Sequence, residues 1–321
     1  MKYISSLKSA TSILKIGVML CAISLWTGCS DDDDENGGAD SLGSEVGVFV
    51  DDDGVSQRIN NIGSYIYYEW DGDELVGIEF GDNDFKVTTS PFTVTVWTDE
   101  DDDPEVLKFY DFKFNSSGYI TSYKKIDDIT GRNYSEHYEC NVTVSYNAND
   151  QISKQVAKVK YTEVYDGERE SESYTATLTY NYSVGNLVSC EEYVPDEEPY
   201  SLTFTYNGVS NPHQQYALLP TSYMDDDFLC VFGILGLAGK ASKLLPSSLT
   251  HDGDTYKFSY KVENGLIIAE RMNSEWETAW VNYYYSNTTK GLSPVNRDLG
   301  SNENILKTLR PRFMHRSKRV R

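Results

Sequence analysis

The chain holds little that an enzyme or a nucleic-acid binder would use. It has four histidines in 321 residues. His137, His213 and His251 precede the basic C-terminal stretch, and none stands beside a Ser or Cys in a nucleophile motif such as GxSxG. Lys and Arg number 28 against 50 Asp and Glu, a net charge of −22. That sign opposes a phosphate backbone, so nucleic acid is not expected as a partner of the body. The five cysteines form no CxxC or Cys/His spacing, which removes the usual zinc site. Acidic stretches at 51–53, 99–103 and 225–227 lack the loop that calcium selects and read as solvated turns. Neither a metal nor a cofactor is expected. No apolar run reaches the roughly 20 residues that a membrane-spanning helix needs.

What is present begins at the N-terminus. Lys2, Lys8 and Lys15 precede an apolar stretch at 16–26, then Thr27, Gly28 and Cys29. A basic start, a short apolar run and small residues at the cut describe a secretory signal over residues 1–28. Cys29 resembles the acceptor of a bacterial lipobox, with Trp26 where Leu is usual and Leu25 one step back. The run Ser30, Asp31, Asp32, Asp33, Asp34, Glu35 resembles the surface-export signal of Bacteroidetes lipoproteins. These resemblances imply lipidation at Cys29, anchoring in the outer membrane and display at the cell surface, the lipid supplying the anchor. Residues 29–57 are acidic and poor in periodicity, and read as a flexible tether. Asp40-Ser41-Leu42 resembles a Bacteroidetes O-glycosylation acceptor.

From about residue 63 the pattern has period two, within a β-hairpin repeat domain expected over 58–290. Segments such as Phe92 to Trp97, Cys140 to Tyr146, Tyr174 to Tyr180 and Ser201 to Tyr206 alternate apolar with Thr and other polar residues. Strict alternation indicates half-buried strands in an antiparallel sheet. Five segments repeat one design at 68–75, 112–120, 144–152, 178–187 and 258–267. Each has an aromatic strand end, an Asn/Asp/Gly turn and an aliphatic strand start, the chemistry of a β-hairpin. The expected fold is all-β, an antiparallel meander of repeated β-hairpins forming a curved sheet or incomplete barrel. One insertion, 210–249, breaks the series and reads as a short helix or packed loop covering one end. Its Gly239-Lys240-Ala241-Ser242-Lys243 lacks the context of a phosphate loop. Residues 291–321 carry Lys307, Arg310, Arg312, Arg316, Lys318, Arg319 and Arg321, a basic tail expected to be disordered.

The acidic lipoprotein start, the hairpins and the segment Leu235 to Ser247 together resemble Bacteroidetes lipoproteins grouped as domain of unknown function 4595. That resemblance covers about 60–290 and implies a porin-like, all-β fold. It supplies no activity and no catalytic residues. Charges on the alternate face, as at Lys158 and Lys160, argue against a literal membrane-spanning barrel.

The chain has 25 tyrosines, a store of amphipathic rings suited to sheet faces and binding surfaces. Tyr65, Tyr67, Tyr68, Trp70 and Trp97 form a candidate ligand platform, because Tyr65, Tyr67 and Trp70 cannot all share one strand face with Tyr68. The leading expectation is a non-enzymatic, surface-exposed binding module for glycan or protein. A structural component of the envelope and a hydrolase without a recognisable motif are the alternatives. Of the cysteines beyond Cys29, Cys140, Cys190 and Cys230 leave at least one thiol unpaired.

Overall fold

The alternating segments form strands, and the strands pair in chain order. The computed structural model describes residues 46–287, apart from 64–65, 81–82, 90, 99–104, 132–133, 196–198, 223–227 and 276–277. Its first strands are β1 (Val48–Val50), β2 (Ser56–Ile62), β3 (Ile66–Asp71), β4 (Glu74–Phe80), β5 (Asn83–Thr89) and β6 (Phe92–Thr98). Next come β7 (Glu105–Phe114), β8 (Ile120–Thr130), β9 (Tyr134–Tyr146), β10 (Ile152–Tyr165), β11 (Glu168–Ser183) and β12 (Asn186–Tyr193). The last are β13 (Tyr200–Ser210), β14 (Leu244–His251), β15 (Asp254–Glu263), β16 (Leu266–Asn273) and β17 (Thr278–Asn287). From β2 onward each strand pairs antiparallel with the next, and β17 returns to β2 with Gln57 opposite Asn287. The result is a nearly closed, barrel-like sheet, as the hairpin series predicts. Among the described residues its narrowest seam is β2–β3, paired at Asn61–Tyr67 and Ile62–Ile66, with β1 lying beside β2 over the adjoining residues.

A meander sends alternate turns to opposite ends. The five repeated turns all fall at one end, here termed the capped end. Their aromatic residues have a common task there. Each hairpin carries two inward rings or aliphatics two residues apart, the first in the core and the second at its margin: Tyr68 and Trp70, Val144 and Tyr146, Phe258 and Tyr260. At five strand ends the marginal residue donates a hydrogen bond to the neighbouring hairpin. Tyr146 Oη bonds the Ile120 carbonyl at 2.7 Å and Tyr260 Oη that of Pro246 at 2.9 Å. Tyr206 reaches Leu187 at 2.7 Å, Tyr285 reaches Ile267 at 3.0 Å, and Trp70 Nε1 reaches Ile59 at 3.1 Å. Phe114, with no hydroxyl, contacts the Phe92 ring instead, at 6.4 Å between centroids. Burial pushes the Tyr206 hydroxyl up to about 12 and keeps it a donor.

The insertion between β13 and β14 plugs this end. It contains α1 (Leu218–Ser222) and a single π-turn at Leu229–Gly233. Phe232 is fully buried, its ring 5.3 Å from Phe109 and 5.2 Å from Phe112. Both phenylalanines face inward because a bulge at Asp111, with φ 56°, resets the alternation of β7. The segment 239–243 clips onto two rims. Lys240 N donates to the Asp150 carbonyl at 2.9 Å, Lys240 Nζ pairs with Asp150 Oδ2 at 2.8 Å, and Lys243 N donates to Gly185 at 3.1 Å. Gly239 has φ +78°, and a Cβ there would strike the Asp150 carbonyl and the Tyr146 ring. Glu270 holds α1: its Oε1 accepts from Leu219 N at 3.0 Å and from Tyr283 Oη at 2.5 Å, while Tyr283 Oη accepts from Leu218 N at 2.8 Å. Burial raises the Glu270 carboxyl from 4.5 to about 7, the three donors offsetting part of that rise.

Two sequence boundaries shift. Residues 46–57, read as tether, are part of the fold: Val46 is buried, β1 forms, and Asp51 folds the turn by accepting from Val55 N at 2.8 Å and Asp53 N at 3.1 Å. A three-residue strand is too short to show a period. The insertion ends near residue 243 rather than 249, since Leu244–His251 is a strand in spite of Pro246, which sits where the β13–β14 register shifts. Cys140 and Cys190 are buried and in no disulfide among the described residues.

The outward face of the wall is wet. Asn141, Thr143, Ser145, Lys158, Lys160, Thr175, Ser201, Thr203, Lys257 and Lys261 are exposed. The apolar side chains turn inward into one cluster with the plug. That is the reverse of a membrane barrel, whose outward band is apolar.

Candidate functional site

With the capped end filled and the wall solvated, the remaining distinctive surface is at the opposite end. There β10 and β11 meet in the turn Asp166-Gly167, both at positive φ (49° and 84°), the conformation of a two-residue hairpin turn. The turn fixes the register, so Tyr165 faces Glu168 and Glu163 faces Glu170. β12 first meets β11 at Thr177, opposite Tyr193. The hairpin, backed by β9 and β8, therefore projects past β12 as a tongue. Nine residues, 168–176, precede that first pair, a length of about 30 Å.

The inward face of the tongue is ordered in rows. Tyr134, Tyr165 and Glu168 lie abreast; then Glu136, Glu163 and Glu170; then Tyr138, Tyr161 and Glu172; then Cys140, Val159 and Tyr174. Thus five tyrosines and five glutamates share one face, to which β8 adds the buried Asp127 opposite Tyr138 and the buried Lys125 opposite Cys140. The Tyr138 and Tyr161 rings stand 4.5 Å apart. Tyr138 Oη donates to Glu136 Oε2 at 3.1 Å and Tyr161 Oη to Glu163 Oε2 at 3.2 Å. These bonds hold both carboxylates in place. Burial, with the Glu136 and Glu163 charges next, raises the Tyr161 hydroxyl well above its ordinary value, so it stays protonated. The opposite face is mixed: Arg169, Lys158, Lys160 and His137 stand with Glu139, Ser171 and Thr162.

The sequence platform is not assembled as one surface. Tyr68 belongs to the core, and Trp70 packs inward beneath the Arg58 guanidinium, 4.7 Å from its centroid. Tyr67 points outward and is 39% exposed. Trp97 lies at a register position between Asp84 and Val106, far along the wall, and Tyr65 lies outside the described residues. Cys29, Ser30, Asp31, Asp32, Asp33, Asp34 and Glu35 also lie outside them, as does the basic tail. Among the described residues no three His, Cys, Asp or Glu side chains converge as a metal-binding group. His137 pairs with Asp128, and His251 packs on Tyr200 at 4.2 Å, so neither faces a Ser or Cys nucleophile in these contacts. Sequence reading passed over the tongue, although its signal was present: the Asp166-Gly167 hairpin turn sets every row of β10 against β11.

No family model matches the chain, and no curated protein matches it; domain of unknown function 4595 is not confirmed. Among solved structures, the chain is similar to a porin-like protein from Bacteroides uniformis ATCC 8492, with 15% identity, 60% of this chain and 95% of that one covered, and a TM-score of 0.29. It is also similar to a porin-like protein from Bacteroides vulgatus ATCC 8482, with 11% identity, 69% and 92% covered, and a TM-score of 0.41.

Proposed function

We propose that this chain is a lipid-anchored, non-enzymatic binding protein of the outer envelope, which presents its uncapped end to ligands outside the cell. The observation that carries the reading is the division of the barrel into two ends. The described chain enters beside the plug, where Gly47 N bonds the Leu235 carbonyl, and β17 leaves at the same end at Asn287. A lipid on Cys29 would therefore hold the capped end toward the membrane and turn the tongue away from it. The filled interior supports binding on the tongue rather than passage through the barrel. Paired rings and fixed carboxylates are suited to gripping a ligand with hydroxyl or amino groups.

Two measurements test this reading. Labelled palmitate should enter the wild-type protein and not Cys29→Ala; label in the variant would contradict the anchor. The purified protein should bind on a glycan array or a peptide array; silence on both would remove the binding role and favour a structural envelope component. The row Glu136, Glu163, Glu170 is the one feature that favours a hydrolase, since cross-strand neighbours stand about 5 Å apart at Cβ. Against it, Glu170 is exposed and Glu136 and Glu163 are half-buried, without the apolar enclosure that keeps a general acid protonated.

A further inference from the structure

The outer wall is not uniform. Across β7, β8, β9 and β10 the register sets Lys108 and Lys160 at the ends of one row, and Tyr110, Lys124, Asn141 and Lys158 in a row nearer the capped end. Lys113, Ser122 and Thr143 follow in the next. Five lysines thus stand on these rows beside two acids, Glu139 and Asp111, in a chain of net charge −22. Lys108 and Lys124 flank the Tyr110 ring, their Nζ atoms 5.2 Å and 5.9 Å from its centroid. The bulge at Asp111 bends β7 here, and a groove of about 240 Å³ opens, lined by Lys113, Lys124 and Lys158 with Ser122, Asn141 and Thr143. Lysines spread evenly over a wall serve solubility and select no ligand. These three instead border one concavity, together with hydroxyl and amide side chains that, among the described residues, bond no other group.

We propose that this groove binds an acidic oligosaccharide, with its carboxylates or sulfates on Lys113, Lys124 and Lys158 and its hydroxyls on Ser122, Asn141 and Thr143. The groove lies on the other side of the sheet from the tyrosines and glutamates of the tongue, so it is a second site beyond the binding role proposed above. Lys124 and Lys158 stand two strands apart, about 10 Å, a wider span than one phosphate bridges, so the set suits separate charges along an extended anion. Lys124 is held in place by Asp111, Nζ to Oδ2 at 2.8 Å, whereas Lys113 and Lys158 are in no ion pair among the described residues. A cleft lined by one sign of charge concentrates counter-ions, and acids more than about 10 Å away are largely screened at about 0.1 M salt. An acidic peptide offers the lysines the same charge. A sugar also meets the hydroxyl and amide groups, which both donate and accept.

The test titrates the purified protein with a galacturonate hexamer and, separately, with a heparin hexasaccharide, by isothermal titration calorimetry at about 0.1 M salt. The first carries carboxylates alone and the second adds sulfates, which separates the two sources of charge. At least one should bind, and the double variant Lys113→Gln, Lys158→Gln should weaken it at least about tenfold. Both positions are exposed, and an unchanged circular dichroism spectrum shows that the fold is retained. The pair Lys257→Gln, Lys261→Gln, exposed elsewhere on the wall, removes the same charge and should leave binding unchanged. Equal losses from the two pairs would reduce the effect to net charge and overturn the proposal. So would a fully methyl-esterified galacturonate hexamer that binds as tightly as the acid, or a hexaglutamate that binds as tightly as the sugars. Silence from both sugars overturns it as well. Binding gained only after Asp31, Asp32, Asp33 and Asp34 are changed to Ala does the same, since the chain's own acidic segment would then be the occupant. Any of these results, with another glycan or a peptide bound on the arrays, leaves the proposed binding role standing.

Discussion

The two ends of the barrel solve opposite problems with the same residue types. At the capped end, tyrosines sit at strand ends and donate to carbonyls of the next hairpin, and the buried carboxylate of Glu270 is met by backbone and tyrosine donors. At the projecting end, tyrosines again donate, but to glutamates that face other glutamates across the sheet. The first arrangement lowers the free energy of the folded chain. The second sets carboxylate against carboxylate across neighbouring strands, Glu163 opposite Glu170. A face that sets like charges opposite one another is the place to seek a ligand, whereas the capped end is explained by stability.

Three changes separate the ends further. The largest effect belongs to the plug. Phe232→Ala removes a fully buried ring and should lower unfolding free energy by about 4 kcal/mol, measured by urea denaturation. A loss under about 1 kcal/mol would show that the insertion is not part of the core. Next is the Glu270 latch. Its folded-state value near 7 lies above its ordinary 4.5, so the folded chain holds this proton more tightly than the unfolded chain. The resulting stability is fully present below about pH 4.5 and is lost as pH rises through about 7, up to about 3 kcal/mol. Glu270→Gln should flatten that part of the profile; a wild-type minus variant difference that stays constant from pH 4 to 8 would contradict it. The smallest change has the opposite sign. Glu163→Gln removes the middle charge of the glutamate row and should raise stability by about 0.5 kcal/mol. A loss of stability would mean that the row is neutralised in the free protein.

Local rules carried the fold far. The Asn/Asp/Gly turns at 147–150 and 264–265 and the alternation of β9, β13 and β15 were plain in the sequence, because period two and turn chemistry are local properties. The outward Tyr67 followed from the same alternation. What escaped depends on register or on breaks in the period. The bulge at Asp111 brings Phe109 and Phe112 to one face, against simple counting. Trp70 shares the inward face of Tyr68, but the reach of Arg58, from β2, over its ring and on to the Gly72 carbonyl at 2.9 Å is a contact between strands. The glutamate row needed three strands to be aligned before it existed at all.

The seam between β2 and β17 has a kinetic consequence. It joins residues 57–62 to 283–287, so the first long strand to leave the ribosome waits for the last before its ladder is complete. Ring closure between such distant partners is slow, and until then β2 and β16 are exposed edges. A truncation within β17 should thus yield sticky, protease-sensitive material while leaving most of the hairpins intact.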